Sequence, residues 1–182
     1  MYILEYYYEK IIKQDLINKF QYSNIKNIPK LKKIILNFGC KNQEIKNIAP
    51  ALLTLELISK KPGNLSKTKS ANVFLKIKKG APIGCYVILK KIKMYKFLFK
   101  LLVEIFPIFK DFKGIPFSFT KKKVNNFSFY IYDLVNIKEL STQFYFFNNL
   151  PSLNITLITN TKTQKEFLYL LQSFKIPLIL KK

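Results

Sequence analysis

Apolar residues recur at helical spacing in some stretches of this chain and alternate with polar ones in others. Ile3, Tyr7, Ile11 and Leu16 fall along one side of residues 2–20 with charges between them, which predicts a helix. The β-branched run from Lys30 to Phe38 predicts a strand that stops at Gly39. Ile45, Ile48, Leu52, Leu55 and Ile58 predict a second helix over 42–60, with Pro50 a kink or a late start. Met94, Phe97, Leu98, Leu101, Leu102 and Ile105 recur every three or four residues while Lys93, Lys96 and Lys100 take another face. That stripe predicts a third helix, closed by Pro107. Residues 109–123 read as loop. Over 127–135, Phe127, Phe129 and Ile131 alternate with Ser128, Tyr130 and Tyr132, the period of a half-buried strand, and 153–159 alternates again. Residues 143–149 are ambiguous. Thr163-Gln-Lys-Glu166 is a capping box ahead of a last helix over 167–174.

Between the second and third helices lies a different kind of stretch, 61–93, which reads KPGNLSKTKSANVFLKIKKGAPIGCYVILKKIK. It predicts a basic hairpin: a strand over 73–78, a reversal through Gly80, Pro82 and Gly84, and a return over 85–89. The pattern as a whole predicts an α+β single domain over 1–182, mainly antiparallel sheet with helices on one face and a protruding basic hairpin loop. Within it, 1–60 supplies a helix, a strand and a helix, 61–93 the hairpin, and 94–182 a helix, the remaining strands and a C-terminal helix.

Charge changes the picture more than length does. The 182 residues carry a formal +22, yet 49% are hydrophobic and 17 are Phe, so the chain is a folded cation and not a disordered basic tail. No carboxylate occurs from Leu57 to Val103. Charge of one sign repels itself, and its concentration on the hairpin points to a polyanionic partner. Every basic residue is Lys. Without a guanidinium fork, recognition of base edges by bidentate Arg is excluded, while phosphate contact is not. The bias toward Ile, Asn, Lys, Phe and Tyr is that of an AT-rich genome, so the cluster of lysines carries more weight than any one of them.

With no His in the chain, the Ser-His-Asp and Cys-His arrangements and most zinc chemistry drop out, and neither metal nor cofactor is expected. Cys40 and Cys85 are too far apart for a CxxC motif and read as small core residues in a reducing compartment. Glu5, Glu9 and Asp15 make the N-terminus unlike an acid-poor transit peptide, so no cleavable leader is expected. The most apolar window, 97–109, is too short and too charged to span a bilayer, which predicts a soluble protein.

Several segments, taken in order, resemble the universal 5S-rRNA-binding protein five of the large ribosomal subunit. They are YYYEK (6–10), IP (28–29) followed by KKIILNFG (32–39), KKP (60–62), KTKSANVFLKIKKGAPIGCYVIL (67–89), KDFKGI (110–115), NFSFYI (126–131), LNITLITNTKT (153–163) and QSFKIPL (172–178). The resemblance covers nearly the whole chain, and KKGAPIGC with the DF-basic-G element are its most specific parts.

What the resemblance implies is a non-enzymatic constituent of the central protuberance, with the open sheet face and the loops left for RNA. It implies contact with 5S rRNA and large-subunit rRNA around Asn37 and the start of the hairpin, with Lys30, Lys32, Lys33, Lys60 and Lys61 as phosphate partners. It implies that Lys67, Lys69, Ser70, Asn72, Lys76, Lys78 and Lys79 lie on the loop that reaches P-site tRNA. Asp111, Phe112, Lys113 and Gly114 would lie at the bridge to the small-subunit head. Neighbouring central-protuberance proteins and a small-subunit head protein are the implied protein partners, with no membrane and no homo-oligomer.

Two positions depart from the family pattern. Where it has an amide-bearing Gln this chain has Lys60 or a gap, and where it has Thr this chain has Ile88. Both fit an organelle whose 5S rRNA has diverged or vanished. A mitochondrion is the expected setting, with a plastid or an AT-rich bacterium as alternatives. The residues alone leave other readings open: Asn37 as a strand-end residue bonding its own backbone, the hairpin lysines as a solvated face, Asp111 as a turn cap. A basic membrane-surface protein or a non-ribosomal RNA-binding protein remain the rival functions.

Overall fold

The structure, a computed structural model, describes residues 2–40, 45–74, 77–109, 112–117, 125–134, 136–142, 144–147 and 150–180. In chain order the helices are α1 (Ile3–Tyr7), α2 (Lys13–Phe20), α3 (Ile45–Ser59), α4 (Lys91–Lys100), α5 (Phe106–Ile108), α6 (Lys138–Ser141), α7 (Phe144–Phe147) and α8 (Gln164–Ser173). The strands are β1 (Leu31–Gly39), β2 (Asn64–Lys67), β3 (Pro82–Leu89), β4 (Ile115–Phe117), β5 (Asn126–Ile131), β6 (Leu153–Thr159) and β7 (Leu178–Leu180). Five of them form a mostly antiparallel sheet in the order β2-β3-β1-β6-β5, and β4 pairs with β7 in parallel. The class is the expected α+β.

The chain divides into two compact units: residues 1–34, 90–127 and 156–182, and residues 35–89 and 128–155. In the first, α1 continues through a π-helical turn, Tyr8–Ile12, into α2, and α4 through another, Leu101–Ile105, into α5. The second π turn corrects the expectation that Pro107 closes the third helix. Pro107 lies inside α5, and the chain turns out only after Ile108. A proline ring cannot accept a tight α-turn carbonyl four residues back, and a widened turn just before it removes that conflict. The core of this unit is Tyr8, Ile12, Leu16, Phe97, Leu98, Leu101, Leu170, Leu171 and Phe174, all buried, with Tyr8 stacked on Phe174 at 6.0 Å. Burial pushes the Tyr95 hydroxyl up to about 12 and the Tyr8 hydroxyl further still. The Tyr8 hydroxyl donates to the Pro29 carbonyl at 2.8 Å, which fixes the entry to β1.

At the C-terminal end of this unit the capping box forms as expected: the Thr163 side chain accepts from the Glu166 amide, and the Glu166 carboxylate accepts from the Thr163 amide. Part of the expected 109–123 loop is instead β4. Gly114, at φ +117, turns the chain into it, and the Ile115 amide donates to the Pro177 carbonyl at 2.8 Å.

In the second unit α3 packs on β3. Pro50 lies inside α3 without ending it, and Thr54 closes part of the helix by donating to the Pro50 carbonyl at 2.8 Å. Ile48, Ala51, Leu55 and Ile58 are buried, as are Cys85, Val87 and Leu89 from β3. Cys85 is a core residue as expected, its thiol pushed up to about 12 by burial and by the neighbouring Cys40, which is itself only half-buried.

The hairpin is real, but its outgoing strand is not the expected 73–78. β2 pairs antiparallel with β3 in the register Asn64 to Tyr86, Leu65 to Cys85 and Ser66 to Gly84. Val73 and Phe74 lie in a turn, and among the described residues of that stretch only the bridge between Asn72 and Ile77 has strand character. The expected reversal through Gly80, Pro82 and Gly84 is also corrected, since Pro82 and Gly84 belong to β3. Gly84 serves close approach: a Cβ there would collide with the Phe38 carbonyl oxygen of β1.

Candidate nucleic-acid interface

Strand alternation sorts the residues of the sheet in the second unit. On β3, Cys85, Val87 and Leu89 are buried while Tyr86 and Ile88 are half-buried; on β1, Leu36 and Phe38 are buried while Ile35 and Asn37 are half-buried. Leu52 of α3 and Val87 of β3 both border Gly63, and α3 packs on β3, which puts the helix on the buried face. The other face then carries Ser66, Tyr86, Ile88, Ile35, Asn37, Asn154, Ser128 and Tyr130, a mixed surface of amides, hydroxyls, rings and aliphatic groups. Asn154 on this face keeps its side-chain oxygen buried and without a hydrogen-bond partner. Nothing in the alternation pattern distinguished it from the other polar residues of β6.

At the edge of this face the turn from α3 into β2 places Lys60 and Lys61. Lys60 takes left-handed backbone, φ 50, as the residue that ends α3, and its side chain is exposed. Lys61 is engaged: its Nζ donates to the Ile88 carbonyl at 2.7 Å, a position beyond the register in which β2 pairs with β3. The Glu56 carboxylate accepts the Gly63 amide at 2.9 Å, so the turn is braced from the helix side as well.

The loop from 68 to 81 is tied at two levels. At its base the Thr68 amide donates to the Ala81 carbonyl at 3.0 Å, the Gly80 amide to the Thr68 carbonyl at 3.1 Å, and the Thr68 hydroxyl to the Lys78 carbonyl at 2.7 Å. Higher up, Asn72 and Ile77 exchange both backbone hydrogen bonds at 2.9 Å. Lys67, Lys69, Ser70, Asn72, Lys78 and Lys79 are all exposed, while Lys76 falls outside the described residues. The loop is therefore a braced carrier of ammonium groups. Phosphate neutralisation is the chemistry such an arrangement performs.

In the first unit, Lys30 and Lys32 are exposed and Lys33 is half-buried. Asn160 pins this segment: its side-chain oxygen accepts the Lys30 amide, its Nδ2 donates to the Ile28 carbonyl at 3.1 Å, and its own amide donates to the Lys30 carbonyl at 3.2 Å. Of the expected bridge residues, Asp111 lies outside the described residues and Lys113 is exposed. Phe112 stacks on Phe106 with ring centres 4.6 Å apart, and both line an open apolar groove of about 680 Å³ with Leu4, Tyr7, Phe99 and Leu102. Among the described residues no three His, Cys, Asp or Glu gather as metal ligands, and no helix is long and apolar enough to cross a membrane.

A braced lysine loop beside a mixed polar and aromatic sheet face fits a structural protein with a polyanionic partner. The comparisons narrow this. A family model for the C-terminal region of the ribosomal protein L5 family matches residues 82–178. The large ribosomal subunit protein uL5m of Reclinomonas americana is 40% identical over 177 residues, covering 96% of this chain and 97% of its own. The uL5 of Nitrosomonas europaea is 33% identical over 177 residues with the same coverage, and that of Geobacter sulfurreducens 31% identical over 175 residues, 95% and 96% of the two chains. The chain belongs to the ribosomal protein L5 family. It is a structural constituent of the large ribosomal subunit and not an enzyme.

Proposed function

We propose that the whole chain acts as one domain of the central protuberance, binding 5S rRNA, or large-subunit rRNA where 5S rRNA is absent. The sheet face around Asn37, with Lys60 beside it, meets one stretch of RNA, and Lys30, Lys32 and Lys33 supply further phosphate contacts. The loop of Lys67, Lys69, Lys78 and Lys79 reaches the P-site tRNA, and the segment of Phe112, Lys113 and Gly114 contributes to the bridge with the small-subunit head. Neighbouring proteins of the protuberance and a head protein are its protein partners. It works in the mitochondrion: the relative whose name carries the mitochondrial suffix is 40% identical, against 31 to 34% for the bacterial ones.

The observation that carries this reading is the braced loop itself, which with Lys67 at its base holds four exposed lysines within a stretch free of carboxylates from Leu57 to Val103. Lys61 stays among the proposed phosphate partners, since one ammonium hydrogen serves the Ile88 carbonyl and two others are left for phosphate.

The test uses large subunits that carry the full chain or a variant shortened between Ser66 and Lys79. Assembly and 5S or large-subunit rRNA content are expected to be retained and P-site tRNA occupancy to fall. Unchanged tRNA occupancy in the shortened particle would remove the loop from the tRNA site.

A further inference from the structure

Val73 and Phe74 stand at the far end of the loop, 88% and 98% exposed. An apolar ring left in water on nearly every side adds nothing to the core, so the fold alone gives no reason for its position. Nor is it on a loose end. The paired hydrogen bonds between Asn72 and Ile77 close the turn that carries both residues, and the Thr68 contacts brace the loop beneath. Pre-organisation of this kind lowers the ordering cost of whatever the ring meets.

The surroundings define the partner's chemistry. The exposed charged residues of the described loop and its base are Lys67, Lys69, Lys78 and Lys79, all of one sign. A partner must offer negative charge to them and a flat apolar face to Phe74. RNA with an unpaired base offers both, because every base has a π face and every nucleotide a phosphate. A lipid surface would require an apolar stripe, and the described loop offers two apolar residues at its tip.

We infer that Phe74 stacks on an unpaired nucleobase of the RNA that the loop meets, adding to the lysine contacts a component that salt does not screen. The inference rests on the reading that this loop meets tRNA. Exposed lysines account for approach and for affinity at low salt; the ring accounts for retention once salt weakens them.

The experiment measures deacylated elongator tRNA binding at the P site of large subunits carrying the full chain, across a KCl series. The variants are Phe74→Ala, Phe74→Leu, Phe74→Tyr and the double variant Lys78→Ala with Lys79→Ala. Phe74 is almost fully exposed, so its replacement leaves the core intact, and incorporation into subunits is checked for each variant. Phe74→Ala and Phe74→Leu are expected to weaken binding by about tenfold with an unchanged salt slope, and Phe74→Tyr to retain it. The double lysine variant is expected to flatten the slope. Should Phe74→Leu bind as well as the parent, the ring meets an aliphatic protein surface and stacking is overturned. Should the lysine variant lose binding while Phe74→Ala does not, stacking is overturned and the loop's role stands. If neither change has an effect, the loop does not meet tRNA and both readings fall together.

Discussion

Single residues in this chain are held by different constraints. Gly84 is held by the backbone of the adjoining strand, since a Cβ would meet the Phe38 carbonyl oxygen, which is part of β1 and cannot swing aside as a side-chain tip could. Gly84→Ala is therefore expected to push β3 from β1 and to destabilise the protein by about 3 kcal/mol, read from urea unfolding with an unchanged m-value. A loss below a few tenths would mean that the strands part freely. Gly114 is constrained twice, by φ +117 and by Ile179 at 3.0 Å from where its Cβ would lie. Its proposed place at the bridge and its role in seating β4 on β7 therefore coincide. Lys61 was legible as a lysine beside the hairpin but not as a partner of the Ile88 carbonyl, because that contact depends on where β2 stops pairing. Phe74 was legible only as one apolar position in a short expected strand. Its exposure follows from a bridge closed between Asn72 and Ile77, which no spacing rule announces.

Elements show which signals the sequence carries well. Period-two alternation over 153–159 and 127–135 gave strands with the expected buried and exposed faces, the second ending at Ile131, because the burial of each strand was complete on one side. The short strand pattern at 73–78 misled, because Val73 and Phe74 are left exposed instead of packing on a neighbouring strand. The true outgoing strand, Asn64–Lys67, is short and polar at the edge of the sheet, as edge strands commonly are. β4 and β7 were invisible for another reason: three residues each, paired in parallel between distant parts of the sequence, they carry no local period. The capping box, by contrast, is a purely local signal and was found where expected. Thr163→Ala removes the acceptor for the Glu166 amide and should cost about 1 kcal/mol, whereas Thr163→Ser should cost a few tenths or less. Equal losses in thermal unfolding would assign Thr163 to packing instead of capping.

For the whole molecule, charge and core pull in opposite directions. An apolar interior holds together a chain with a formal charge of +22, and the resulting self-repulsion weakens the isolated protein. On the proposed reading phosphates answer the same surplus in the ribosome, so free and bound protein should respond to salt with opposite signs. Raising KCl shortens the screening length from about 10 Å at 0.1 M to about 3 Å at 1 M, which relieves repulsion in the free chain. Its melting temperature is expected to climb with KCl. With 5S rRNA or a large-subunit rRNA fragment at about a hundred times its dissociation constant, binding adds about 2.7 kcal/mol at low salt. That added stability must decline as salt rises, because affinity falls by about 0.9 log units per phosphate contact for each log unit of salt on duplex RNA treated as B-form DNA is. The two melting curves therefore converge from opposite sides. Parallel curves, with RNA raising the melting temperature equally at every salt concentration, would mean that this cation binds its RNA by something other than its lysines.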